Sequence, residues 1–202
     1  IEILFRIINK MSIFDWGLFR IFIGINIMSL IISLVLSFFK KGFAYIISDI
    51  IILVMASYAI IQLGFNSFIG VYMSFNTTSQ LGAVKDFIGD FVGALRPGYY
   101  LLLIPFAYSL LYTYFILRSK KVNPEKYVLK SRIRKAKGIK ICTTLIAIIV
   151  LSFVYSETLE NTSMQDTLQT IPNKQLFYNP SIPSVAIKSF GIIGFGLDDV
   201  KT

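Results

Sequence analysis

The chain of 202 residues contains no histidine and one cysteine, and only 15% of its residues are charged. Without histidine it cannot supply a Ser-His-Asp triad, an HExxH helix or any histidine-containing zinc site. With Cys142 alone it forms no disulfide within itself, and that residue, at the start of an apolar run, reads as a small apolar side chain facing lipid or a neighbouring helix. Internal repeats and low-complexity tracts are absent as well. What is present is apolar: 55% of the residues are hydrophobic and the mean hydropathy is +0.69. A soluble domain of this size could not cover itself with so little polar surface, so the solvent for much of the chain is lipid.

Four runs have the length of a complete membrane span. Leu18 to Phe39 carries one charge, Arg20; Gly42 to Gly64 carries one, Asp49; Tyr99 to Leu117 carries none; and Gly138 to Tyr155 carries only Lys140, at its edge. At about 1.5 Å per helical residue each run approaches the roughly 30 Å hydrocarbon thickness. Ile1 to Ile8 is apolar but too short to cross, and is expected to be the end of a helix that starts before Ile1. Pro105 is expected to bend its span, and Tyr99, Tyr100, Tyr112 and Tyr114 suit the aromatic belts at the two interfaces.

Charge placement orients these spans. Ten of the 20 basic residues fall between Arg118 and Lys140, with Glu125 the only acid among them, and this block joins the last two apolar runs. Short loops rich in Lys and Arg stay on the cytoplasmic side, so the block and the Lys40-Lys41 joint are expected inside, and everything from Ser156 onward outside. The net charge of +9 then lies beside membrane spans, where anionic headgroups attract each basic residue by about 1 kcal/mol, and nucleic acid is not an expected partner.

Two further segments are not spans. Val84 to Leu95 places Phe87, Ile88, Phe91, Val92 and Leu95 on one helical face, with Asp86 and Asp90 opposite as its solvated side, and predicts an outer interfacial helix. Glu157 to Gln175 is polar and reads as an exposed linker. After it, Pro183-Ser184 starts a short apolar helix, Val185 to Phe190, that stops at Gly191; Gly191, Gly194 and Gly196 match no phosphate loop. The expected fold is therefore all-α: a polytopic transmembrane bundle of four complete spans and a partial first helix, with outer interfacial helices. It divides into a helical membrane domain, residues 1–155, and an outer linker and short helical tail, residues 156–202.

No catalytic centre is visible, but ionisable groups at membrane depth are functional or paired. Glu2 and Arg6 stand four residues apart in the orientation that favours an ion pair. With Lys10 and Arg20 they form a charged group near the outer face. Asp15 and Glu2 cannot neutralise all three cations, so Arg6, Lys10 and Arg20 are candidates for an anionic lipid headgroup, with snorkelling to water the competing explanation. Asp49, about 10 Å from the inner end of its span, marks either an ion pathway or a buried carboxylate bonded to a hydroxyl such as that of Ser48, Ser57 or Tyr58.

The order of spans and three stretches, Phe14 to Gly42 (FDWGLFRIFIGINIMSLIISLVLSFFKKG), Phe65 to Phe91 (FNSFIGVYMSFNTTSQLGAVKDFIGDF) and Leu176 to Thr202 (LFYNPSIPSVAIKSFGIIGFGLDDVKT), resemble the membrane half of the lipoteichoic acid synthase family. These are bacterial phosphoglycerol transferases of the alkaline phosphatase and sulfatase superfamily. The resemblance implies five membrane helices in the bacterial plasma membrane. It also implies an extracellular catalytic domain beyond Thr202, carrying a threonine nucleophile and manganese or another divalent metal. This chain would need no cofactor of its own. Its partners would be that domain, phosphatidylglycerol and a glycolipid anchor. None of the family's catalytic residues falls on these 202 positions. The expected role is to anchor the catalytic domain and hold lipid beneath it; the alternatives are a small transporter or ion-conducting subunit around Asp49, and a purely structural anchor.

Overall fold

The computed structural model describes residues 1–11, 16–39, 41–73, 88–122, 133–160, 163–165, 170–178 and 182–199. It is a helical bundle. Helices α1 (Glu2–Ile8), α2 (Trp16–Leu36), α3 (Lys41–Ile69) and α4 (Ile88–Ala94) are followed by a 3₁₀ segment, Pro97–Leu103, that runs directly into α5 (Ile104–Val122). Then come α6 (Ile133–Glu160), a two-stranded hairpin of β1 (Ser163–Gln165) and β2 (Thr170–Pro172), α7 (Asn173–Tyr178) and α8 (Pro183–Asp199). Four helices, Trp16–Leu36, Gly42–Ile69, Pro97–Arg118 and Lys140–Glu160, are long and apolar enough to cross a membrane, which makes this a multi-pass membrane protein.

The spans pair as α2 with α6 and α3 with α5, while α2 and α3 touch only slightly. What joins the two pairs is the assembly at one end: α8 lies along α2, touches α1 and α3, and rests on α7, which in turn packs on α6. The buried core is at this tail end. Phe5, Leu63, Leu102, Leu176, Ile187, Ile192 and Phe195 are almost fully enclosed there. Along the spans, by contrast, Phe22, Val54, Leu111, Ile149 and Phe153 are exposed. Lipid tails are as apolar as these side chains, so nothing drives them inward.

Several local readings change. Pro105 occupies the second position of α5, directly after the 3₁₀ segment and inside the span Pro97–Arg118, where its missing N–H and fixed φ suit a first α-helical turn. Tyr99 turns into the core at 8% exposure while Tyr100, Tyr112 and Tyr114 are exposed, so only the last three can serve as belt residues. The segment Glu157 to Gln175 is not simply a linker. Its start extends α6 to Glu160 and buries Leu159, Met164 pairs opposite Ile171 in the antiparallel hairpin, and Asn173 is fully enclosed. The helix expected over Val185 to Phe190 starts at Pro183 and does break at Gly191 (φ 77°, ψ 173°), but a second helical stretch follows to Asp199.

Of the segment expected as an interfacial helix, Ile88–Ala94 is helical as α4, and residues 84–87 lie outside the described residues. It seats on α3 at Gly64, where a Cβ would come within 2.8 Å of both Phe91 and Leu95, and the Phe65 and Phe91 rings lie 5.0 Å apart. Ile88 and Val92 stay exposed.

Candidate functional site

Three ionisable side chains named from the sequence meet under the tail. Glu2 is 4% exposed, Arg6 1% and Arg20 2%. Their helices bring them together because α1 and α2 both pack against α8. The site forms around the break at Gly191. There, the end of the first half of α8 (residues 183–190) presents backbone carbonyls, and the start of its second half (192–199) presents backbone N–H groups.

Charge and backbone match at this break. The Arg6 guanidinium donates from Nη2 to the carbonyl of Lys188 at 2.6 Å, and Arg20 reaches the carbonyl of Ser189 from Nη1 at 3.4 Å. Glu2 Oε1 accepts the Ile193 N–H at 2.9 Å. Cations thus sit at a helix C-terminus and an anion at a helix N-terminus, the arrangement favoured by the partial charges of unsatisfied helix ends. The Arg20 guanidinium carbon also lies 5.7 Å from the centre of the Phe190 ring, within cation-π range. Phe190 stacks edge-on with Phe177, and Ser189 Oγ donates to Asn173 Oδ1 at 3.2 Å. The carbonyls of Lys188 and Ser189 therefore hold charged donors, and the neighbouring side chains of residues 189 and 190 are themselves fixed by α7.

Of the other residues named from the sequence, Lys10 stands apart, exposed at the end of α1 in a left-handed conformation (φ 54°). Asp49 lies in the α3–α5 pair, 5% exposed, and accepts the Ser109 hydroxyl. A hydroxyl partner is what the sequence suggested, but it comes from the facing helix and not from Ser48, Ser57 or Tyr58. Asp15 and Asp86 lie outside the described residues.

A polar network beside the tail was not read from the sequence. Gln62, fully buried near the end of α3, donates to the Met73 carbonyl at 2.8 Å and accepts the Met73 N–H at 2.8 Å, so its amide substitutes for a backbone partner. It also donates to Tyr58 OH at 3.0 Å, and Tyr58 packs so closely on α8 that a Cβ at Gly196 would meet its oxygen at 2.8 Å. Asn9 bridges Asn66 and the Tyr72 hydroxyl, and burial raises the Tyr72 phenol above its ordinary pKa. A glutamine inside an apolar run was the available signal for this network.

Apolar space adjoins the charged group. A cavity of about 300 Å³ between α2, α6, α7 and α8 is walled by Gly24, Met28, Tyr155, Phe177 and Ile193, with Glu2 on one side. A more open space of about 720 Å³, bounded by Trp16, Phe19 and Phe22, shares Glu2, Ile21 and Ile25 with it. Comparison of the chain with protein-family models, with curated proteins and with solved structures gives no match.

Proposed function

We propose that this chain is the membrane portion of a bacterial phosphoglycerol transferase of the lipoteichoic acid synthase type, which anchors an extracellular catalytic domain and holds phosphatidylglycerol or a glycolipid acceptor near it. One observation carries the reading. The segment that resembles the approach to the catalytic domain, Leu176 to Thr202, is docked over its described part on the bundle by three buried charges and does not trail from the last span. A domain attached after such a segment is held at a fixed height over the membrane. A loosely tethered one would sample many. On this reading the tail lies outside the cell, and the metal belongs to the attached domain. Lys10, exposed at the end of α1 with Arg6 and Arg20 behind it, supplies positive charge that draws an anionic headgroup to the same face.

The coding sequence that follows the Thr202 codon tests the reading directly. A phosphatase-like domain rich in carboxylates and carrying a nucleophilic threonine supports it, and a stop codon overturns it. Native mass spectrometry with phosphatidylglycerol tests the headgroup. Retention that falls in Lys10→Gln, Arg6→Gln and Arg20→Gln supports the role of these cations, and unchanged retention in folded variants removes it.

A further inference from the structure

We propose that the cavity between α2, α6, α7 and α8 binds an apolar chain ended by a neutral hydroxyl, with that hydroxyl donating to Glu2; the occupant is a membrane glyceride with a free hydroxyl. Among the described residues the walls are hydrocarbon and aromatic apart from Glu2, which brings the one carboxylate, and Ser152, which brings a hydroxyl, and the two adjoining spaces, about 300 and 720 Å³, match the roughly 300–1,000 Å³ of ligand pockets. An acyl chain is the apolar group that lipid supplies to a cavity between spans.

Glu2 sets the head of the ligand. One carboxylate oxygen takes the Ile193 N–H and the Ile192 N–H also acts on the carboxylate, while Oε2, equally enclosed, meets no donor in hydrogen-bond geometry among the described residues. A buried carboxylate oxygen without a donor is costly, and a ligand O–H pointing into the cavity relieves that. The charge of the head follows from the surroundings. Arg6 and Arg20 form no part of either cavity's walls, so a phosphate there would face Glu2 and not a guanidinium. An ammonium would be repelled by the two guanidiniums that lie behind the same helix break. A neutral donor meets neither objection. This site rests on the cavity alone and stands whether or not the chain belongs to a transferase.

Native mass spectrometry of the detergent-solubilised chain tests it with three probes: dioleoylglycerol, its O-acetyl derivative and dioleoyl phosphatidic acid. The free hydroxyl is expected to raise retention about tenfold over the acetylated form, the effect of one hydrogen bond to a charged group. Gly24→Leu, which grows from α2 into the cavity past Tyr155 and leaves Glu2 untouched, is expected to bring dioleoylglycerol down to the level of the acetylated probe. If this variant fails to fold, the two glycerides on the unaltered chain still decide. Equal retention of the free and acetylated glycerides, undiminished binding in folded Gly24→Leu, or displacement of dioleoylglycerol by phosphatidic acid would each overturn the assignment.

Discussion

Glu2 and Gly191 occupy complementary space: a Cβ on Gly191 would lie 2.7 Å from Glu2 Oε1 and 2.8 Å from its carboxyl carbon. The glycine therefore does two things. It takes the positive φ that turns α8, and it leaves room for the carboxylate to reach the Ile193 N–H beyond the turn. Gly191→Ala brings both backbone strain and a contact that Glu2 can relieve only by leaving its bond. A loss of about 1–3 kcal/mol is expected, read as a lower midpoint of thermal unfolding in detergent. Gly93→Ala is the control. Its Cβ meets open space within α4, so no loss is expected and helix propensity favours a gain of about 0.5–1 kcal/mol.

Arg6 holds the tail from the other side of the same break. Arg6→Met keeps a long apolar stem and removes the donor to the Lys188 carbonyl, weakening the docking of α8 by roughly 1.5–3 kcal/mol. Hydrogen exchange read by mass spectrometry should rise over residues 183–199 and stay unchanged in the α3–α5 pair. Uniform exchange across the chain in this variant would show that the guanidinium does not hold the tail.

Within the spans, the Asp49–Ser109 contact couples α3 to α5. A double-mutant cycle with Asp49→Ala and Ser109→Ala, followed by unfolding in mixed micelles, is expected to give a coupling of about 0.6–1.7 kcal/mol, the range for hydrogen bonds between membrane helices. Strictly additive losses would mean that the two groups do not interact. Proton uptake by liposomes carrying the chain separates this structural role from an ion pathway, and none is expected if the hydroxyl is Asp49's working partner.

The spans were legible because long uncharged runs leave few alternatives, and the break at Gly191 because glycine alone takes its φ without penalty. Glu2, Arg6 and Arg20 could be grouped because charges in apolar helices are rare. What engages them was not legible. Their partners are main-chain atoms of Lys188, Ser189 and Ile193, separated from them by some 170 to 190 positions, and a backbone carbonyl leaves no mark in a sequence. The same limit hid Ser109 as the partner of Asp49, because span order does not set helix rotation. Composition made Glu157 to Gln175 look like linker, yet Leu159 and Asn173 are buried there, Leu159 in the core cluster and Asn173 against Ser189. Gln62 was different, a polar residue in a plain apolar run that could have been followed to a buried network.

Orientation in the membrane gives the remaining prediction. α6 is a single span, so the basic block before it and the tail after it emerge on opposite faces, whichever face is which. The positive-inside rule then assigns the faces through the ten cations between Arg118 and Lys140, most of which lie beyond the described side chains. In a Cys142→Ser background, Ser131→Cys reports the block and Lys174→Cys reports the tail, where the Lys174 side chain is 57% exposed and pairs with Glu160 at 2.8 Å. An impermeant thiol reagent added to intact cells is expected to label Lys174→Cys and to reach Ser131→Cys only after lysis. The opposite pattern would invert the orientation and remove the extracellular domain from the proposed function. Labelling of both from outside would mean that α6 does not cross, and with it the pairing of α2 and α6 as spans would fall.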